Sequence, residues 1–135
     1  MQTDSPQLDQ IDADTPLSAE DWCALIEDVG ERNGFFEPVG TNHFALFNDD
    51  SPTLLVTFET VEGIRAEDPA AMPLGQRVAT SRGWSSLTLI ARSRTWFRDP
   101  EVHAFFDRLV DEAFFEEFDR VVFFVFGFQA GDDFH

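Results

Sequence analysis

Apolar residues recur at helical spacing near the start of the chain, between a capping residue and a glycine. Ser18, with Asp21 three positions later, predicts the first turn of a helix. Asn33 and Gly34 predict a left-handed stop at its other end. The apolar stripe consists of Trp22, Leu25, Ile26 and Val29. The pattern therefore predicts an amphipathic helix over residues 18–33.

Two further helices are predicted from the same kinds of signal. A short helix over residues 74–82 is expected to stop at Gly83. Asp99 and Pro100 stand in the favoured cap and first-turn positions of a longer helix. The apolar face expected for that helix is Val102, Phe105, Phe106, Leu109, Val110 and Ala113.

Short apolar runs bounded by turn formers predict the strands. Residues 44–47 and 53–58 flank a turn-rich segment and are expected to pair as an antiparallel hairpin, followed by a loop over 59–73. Residues 87–91 predict a third strand, and six consecutive apolar residues over 121–126 predict a fourth, central one. The alternation of strands and helices predicts a three-layer α/β fold with a mostly parallel sheet of about four strands and an N-terminal antiparallel hairpin.

Composition divides the chain into a tail and one domain. With 135 residues, 43% of them hydrophobic, and with 16 Phe, the chain is long and apolar enough for a single core. Residues 1–17 are acidic and poor in apolar residues, which predicts a disordered tail. Residues 18–135 are then a single α/β domain.

The net charge of the chain limits the classes of molecule that it can bind. The 26 acidic residues outnumber the 9 basic ones, so the net charge of -17 repels nucleic acid. The sequence shows neither a membrane span nor a secretory signal, so we expect a cytoplasmic protein. The single cysteine, Cys23, and the scattered His43 and His135 form no metal-ligand pattern, and no cofactor is predicted.

The end of the chain poses a structural problem for this fold. Only nine residues follow the apolar strand that ends at Phe126, too few to supply another helical layer. The strand is then an unusual edge, or a second copy covers it in a homodimer, or the chain is a truncated piece of a longer protein.

Four segments carry a resemblance to a family of uncharacterised bacterial proteins. They are Thr53–Thr60, Ala71–Gly75, Thr95–Pro100 and Phe115–Phe124. The segments resemble the N-terminal part of that family, whose members often carry the label phosphoadenosine phosphosulfate reductase. The order of elements also resembles the first half of an α/β-hydrolase core. The resemblance implies a hydrolase-like domain that reaches as far as the nucleophile elbow.

The residues needed for either chemistry are missing at the matching positions. Gly127, Gln129 and Gly131 have the glycine spacing of the elbow, but the amide of Gln129 stands in place of the nucleophile. The reductase label requires a phosphate-binding loop and a reactive cysteine near the C-terminus, whereas Cys23 lies in the first helix. We therefore expect a domain that is non-catalytic as it stands.

Two loops remain as candidate sites at the carboxyl ends of the strands. Glu62 and Gly63 follow the second strand, where a hydrolase-like core would supply an oxyanion-type N–H group; the simpler interpretation is a plain crossover loop.

The second loop gathers several cations within a short stretch. Its candidate residues for binding a small anionic ligand are Arg92, Arg94, Trp96, Arg98 and His103. The competing interpretation is that the arginines pair with Asp99, Glu101 and Asp107 and bind nothing. A small-molecule-binding or hydrolytic α/β protein that uses this edge is the alternative to the non-catalytic domain.

Overall fold

A computed structural model of the protein describes residues 17–93 and 97–125. These residues form a five-stranded mixed sheet with helices on both faces, so the predicted α/β class is confirmed. The helices are α1 (Ala19–Asn33), α2 (Val61–Ile64), α3 (Leu74–Arg82) and α4 (Pro100–Asp111), followed by a 3-10 turn (Phe114–Glu117). The strands are β1 (Gly34–Val39), β2 (His43–Asn48), β3 (Thr53–Thr60), β4 (Ser85–Ala91) and β5 (Arg120–Val125).

The strands lie in the order β1-β2-β4-β3-β5. β3 is parallel to both β4 and β5, whereas β2 is antiparallel to both β1 and β4. The predicted count of about four strands was one short, because β1 was not recognised. Its Gly34 and Pro38 are residue types that β-strands usually exclude.

The antiparallel hairpin exists, but its predicted partners were wrong. β2 pairs with β1, in a register that places Phe35 opposite Phe47, and β3 is not its neighbour. The turn formers between β2 and β3 therefore lead into a crossover, and β4 lies between the two strands. The predicted loop over 59–73 is also partly ordered, since its first residues complete β3 and begin α2.

Each face of the sheet has its own core. On one face, Val102, Phe105 and Leu109 of α4 pack with apolar side chains of β2, β3 and β4. On the other face, Trp22 and Ile26 of α1 pack with β2 and β4. These helical side chains repeat at intervals of three and four residues, as an amphipathic helix requires.

The helix ends follow the local signals, with two corrections. The Ser18 side chain accepts a hydrogen bond of 3.0 Å from the Asp21 N–H group, and Gly83 adopts φ +71° beyond α3, as predicted. Gly34 is extended (φ 178°) and continues directly into β1, so the predicted left-handed stop was wrong. Val110 was expected on the buried face of α4 but is 62% exposed.

β5 is the strand whose position differs most from prediction. The six-residue apolar run was expected in the middle of the sheet, but the described residues pair β5 with β3 alone, at the edge. α4 crosses over β3 to connect β4 with β5, which moves the new strand outward. The apolar pattern identified a strand correctly and its place in the sheet wrongly.

Candidate functional site

The topology itself indicates where a ligand site would lie. β3 and β4 are neighbouring parallel strands, and the connections from their carboxyl ends leave on opposite faces of the sheet. The connection from β3 leads to α3, where Gly75 lies against Thr57, and the connection from β4 leads to α4 on the other face. In open α/β sheets such a reversal opens a crevice in which ligands bind. We call this region the switch-point edge: the ends of β3 and β4 with residues 60–73, 92–93 and 97–99.

A buried carboxylate, Glu59, lies at the end of β3. It is 4% exposed, and its oxygens accept hydrogen bonds of 2.8 Å from the N–H groups of Leu74 and Gly75. The Thr57 hydroxyl donates a third bond of 3.0 Å. Burial raises the pKa of Glu59, and these hydrogen bonds oppose the shift.

The Glu59 carboxylate acts as a helix cap. The residue before α3 is Pro73, which offers no side-chain acceptor to the first turn. Glu59 satisfies two of the N–H groups that a helix start leaves unpaired, and its charge complements the helix dipole. The carboxylate is thus engaged in holding α3 on the sheet. Sequence analysis missed this role, although an acid that ends an apolar strand is the signal that could have shown it.

A buried histidine lies on the other side of β4. His43 begins β2 and is fully buried; it lies one residue before the predicted strand over 44–47, so the sequence-based prediction that left it outside the sheet was wrong. Its Nδ1 atom is 3.7 Å from Oδ2 of Asp99, and the Asn42 side chain donates to the same oxygen at 3.3 Å. Burial lowers the pKa of His43, while Asp99 and Glu101 act in the opposite direction. Enclosure of the imidazole favours its neutral form and keeps it from direct contact with solvent.

Phe97 packs against the His43 ring. Its ring centroid is 5.4 Å from that of His43 and 5.3 Å from that of Phe58. Phe97 also has φ +56°, a left-handed conformation that is uncommon for a bulky residue. The Phe97 side chain therefore anchors the start of the segment 97–99 to the sheet, and its contacts compensate for the unfavourable backbone conformation.

The predicted arginine cluster is described only in part. Arg92 and Arg98 are exposed at this edge, while Arg94 and Trp96 lie outside the described residues. The Arg92 guanidinium lies 4.9 Å above the Phe44 ring, and its Nη1 is 3.9 Å from Sγ of Cys23. The described residues contain no ion pair between these two arginines and the acids proposed as their partners, Asp99, Glu101 and Asp107.

The remaining predicted residues are scattered. His103 and Asp107 are exposed on α4, and within the described ranges no ion pair joins them. Glu62 is exposed in α2, and the Gly63 N–H group donates to Thr60 Oγ1 at 2.9 Å. The predicted elbow residues, Gly127, Gln129 and Gly131, lie outside the described residues.

Among the described residues, one hydroxyl lies beside a carboxylate, that of Thr57 beside Glu59, and both groups are buried. The Cys23 sulfur contacts a guanidinium, and the Ser85 hydroxyl is bonded to the loop before β3, at the opposite end of β4. Residues 17–93 and 97–125 contain no group of three or more His, Cys, Asp or Glu arranged to hold a metal ion. None of the helices described has both the length and the apolar character needed to cross a membrane. In the part of the chain that the structure describes, the switch-point edge therefore offers charged and polar groups that can bind a ligand.

Comparison of the chain with family models, with curated proteins and with solved structures found no match.

Proposed function

We propose that the protein is a non-catalytic, hydrolase-like α/β domain that associates with a second copy of itself through β5. The observation that carries the proposal is the exposure of two consecutive phenylalanines on this strand: Phe123 is 57% exposed and Phe124 is 50% exposed. Parallel strands in α/β folds are normally covered on both faces. Among the described residues β5 is a parallel strand at the edge of the sheet, and the backbone groups of an edge strand can pair with another strand.

The two rings lie on opposite faces of the sheet. Phe123 lies beside Val56 and contacts Phe115 on the α4 face, at a centroid distance of 6.3 Å. Phe124 lies beside Thr57 on the α3 face. A second strand paired with β5 would extend the sheet sideways, so that both rings would have a neighbouring strand beside them. Each face of that strand would then contact one phenylalanine.

A second copy is a suitable occupant because an edge strand can pair with its own copy about a twofold axis. The single charge in β5 is Arg120, at the start of the strand, and Asp119 and Glu117 stand just before it. Antiparallel pairing puts the two acidic ends at opposite ends of a six-residue ladder, about 20 Å apart. That distance is about twice the Debye length at 0.1 M salt.

The expected affinity is modest. Covering the exposed half of one Phe ring contributes about 1 kcal/mol, or about 4 kcal/mol for four rings in a dimer. Association costs about 4–15 kcal/mol in lost freedom, so the backbone ladder must supply the remainder. Because each copy carries a charge of -17, added salt screens the general repulsion and strengthens the dimer.

Sedimentation equilibrium at low and high salt tests the proposal. We expect a reversible dimer that tightens with salt, and we expect a Phe123→Ser, Phe124→Ser double variant to be monomeric. Val110→Ser is the matched control, because Val110 is exposed to a similar degree on α4, away from this edge. A monomer at every concentration and salt, or equal weakening by the control, would contradict the proposal.

A second candidate function is the binding of a small anion at the switch-point edge by Arg92 and Arg98, with Arg94, Trp96 and His103 as further candidates. The observation that favours it is that acids near Arg92 and Arg98 form no ion pair with them in the described residues. Guanidinium groups bind phosphate and carboxylate through paired hydrogen bonds. Phosphate should then raise the melting temperature of the wild type but not that of Arg92→Gln, with Arg82→Gln as the control.

A further inference from the structure

A cavity of about 440 Å³ opens beside the loop that leaves β3. This volume lies within the range of about 300–1,000 Å³ found for small-molecule sites. The lining combines apolar residues, among them Ala71 and Met72, with three charged ones: Arg77 from α3 and Glu67 and Asp68 from the loop. The cavity belongs to the switch-point edge but includes none of the arginines after β4.

Arg77 is held at the wall of this cavity. Its Nε–H group donates to the Met72 carbonyl oxygen at 3.1 Å, which orients the guanidinium. Among the described residues no hydrogen bond to its two terminal nitrogens is present. These nitrogens can therefore bind the two oxygens of a carboxylate.

The acids in the same lining do not neutralise Arg77. Within the described ranges, neither Glu67 nor Asp68 lies within 4.0 Å of its guanidinium as an ion pair. One oxygen of Asp68 accepts a hydrogen bond from the Ala70 N–H group at 3.0 Å, while Glu67 extends from an exposed position. Opposite charges thus share one cavity and remain apart from each other.

A simple anion is a poor match to this arrangement. The first two N–H groups of α3, those of Leu74 and Gly75, are already occupied by Glu59 and so are not available to an anion. Two acids against one arginine also make the lining negative overall. A ligand that carries one charge of each sign satisfies both sides of the cavity.

We propose that this cavity binds a small zwitterion of amino acid or dipeptide size, with its carboxylate on Arg77 and its ammonium group facing Glu67 and Asp68. The apolar part of the ligand would lie against Ala71 and Met72. This proposal is independent of the association through β5.

The indole of Trp22 provides a direct probe of binding. Its Nε1–H group donates to the carbonyl oxygen of Ala71 at 2.8 Å, so it reports on the cavity wall through its NMR resonance. The probes are L-leucine, isocaproate, which lacks the ammonium group, and isoamylamine, which lacks the carboxylate. We expect a saturable shift of the Trp22 signal with leucine and at least about fivefold weaker binding of either relative.

Matched variants test which residue binds each of the two charged groups of the ligand. Arg77→Gln and Glu67→Gln should each weaken leucine binding by about fivefold. Arg82→Gln is the control, because Arg82 lies in the same helix but its guanidinium is 5.3 Å above the Trp84 ring, away from the cavity. Circular dichroism establishes that each variant is folded. If Arg77→Gln does not fold, Glu67→Gln and the three probes on the wild type still test the proposal.

Three outcomes would overturn the proposal. They are the absence of a saturable Trp22 shift with all three probes, equal binding of isocaproate and leucine, and equal weakening by Arg77→Gln and Arg82→Gln. The second would indicate a site for plain anions, and the third a general effect of charge.

Discussion

β5 is the more apolar strand in sequence, with five apolar residues of six, whereas β4 contains three hydroxyl residues; their surroundings in the fold are the reverse of this order. Every residue of β4 is buried, whereas β5 exposes Phe123 and Phe124. β4 lies between β2 and β3 with helices over both faces, but in the described residues β5 has a neighbour on one side only. Burial in this fold is therefore set by where the crossover helices lie, and the hydrophobicity of a strand alone does not predict it.

The largest difference in the free energy of unfolding should appear between a side chain removed from the buried centre of the sheet and one removed from β5. Leu54 of β3 is fully buried and lies beside Val121 of β5. Leu54→Ala should lower the free energy of unfolding by about 2–5 kcal/mol, because it leaves a cavity. Phe123→Ala should cost about 1 kcal/mol in the monomer, since more than half of the ring is already in water.

Urea denaturation at low protein concentration measures both variants without a contribution from association. Equal losses for Leu54→Ala and Phe123→Ala would show that the β5 edge is covered within a single chain.

A smaller effect is expected where α3 meets the centre of the sheet. A Cβ atom added at Gly75 would lie 2.2 Å from Thr57 Oγ1, so Gly75→Ala should cost about 1–3 kcal/mol through overpacking. Gly83→Ala is the control: it has nothing within 4 Å, and only its φ of +71° opposes the substitution. The control should cost about 1 kcal/mol. Thermal denaturation compares them, and a larger loss for Gly83→Ala would contradict close contact at Gly75.

The smallest and most specific effect is the pH dependence that Glu59 gives to the free energy of unfolding. Burial raises the pKa of Glu59 above its usual 4.5, so from pH 4.5 up to that raised pKa the folded chain binds more protons than the unfolded chain. The contribution of Glu59 to the free energy of unfolding therefore falls as the pH rises through this interval. Glu59→Gln lacks this titration.

The difference in unfolding free energy between wild type and Glu59→Gln should accordingly shrink from pH 4.5 to pH 8. Denaturation series at several pH values measure it, with Glu62→Gln as an exposed control whose effect should not vary with pH. A difference that grows with pH would mean that the three hydrogen bonds to the carboxylate outweigh its desolvation.

Local signals in the sequence predicted the helices well. Ser18 and Gly83 act within one helical turn, so their effect does not depend on the rest of the fold. Asp99 and Pro100 mark the start of α4 as predicted, but the Asp99 side chain makes no capping bond and instead faces His43 and Asn42. Strand neighbours are different, because pairing is decided between distant segments. The turn formers after β2 looked like a hairpin, but they are equally suited to a crossover.

The candidate site could be located only in part from the sequence. The carboxyl ends of the strands were predicted as the ligand edge, and Gly63 and Arg92 do lie there. The bond from Leu74 to Glu59 joins residues 15 positions apart, and the approach of Asp99 to His43 joins the loop after β4 to the start of β2. Such contacts depend on the order of the strands, and the sequence pattern did not contain that order.

The close fit of α1 against the β1–β2 hairpin has a consequence for how the chain folds. A Cβ atom at Gly30 would be 2.8 Å from both Leu46 Cδ1 and the Phe35 carbonyl oxygen, so the helix packs almost directly on these strands. All of these contacts lie within residues 19–48, a short stretch with low contact order. Residues 19–48 can therefore organise early and act as a template onto which β4 is added, while the slower parallel pairings of β3 and β5 follow.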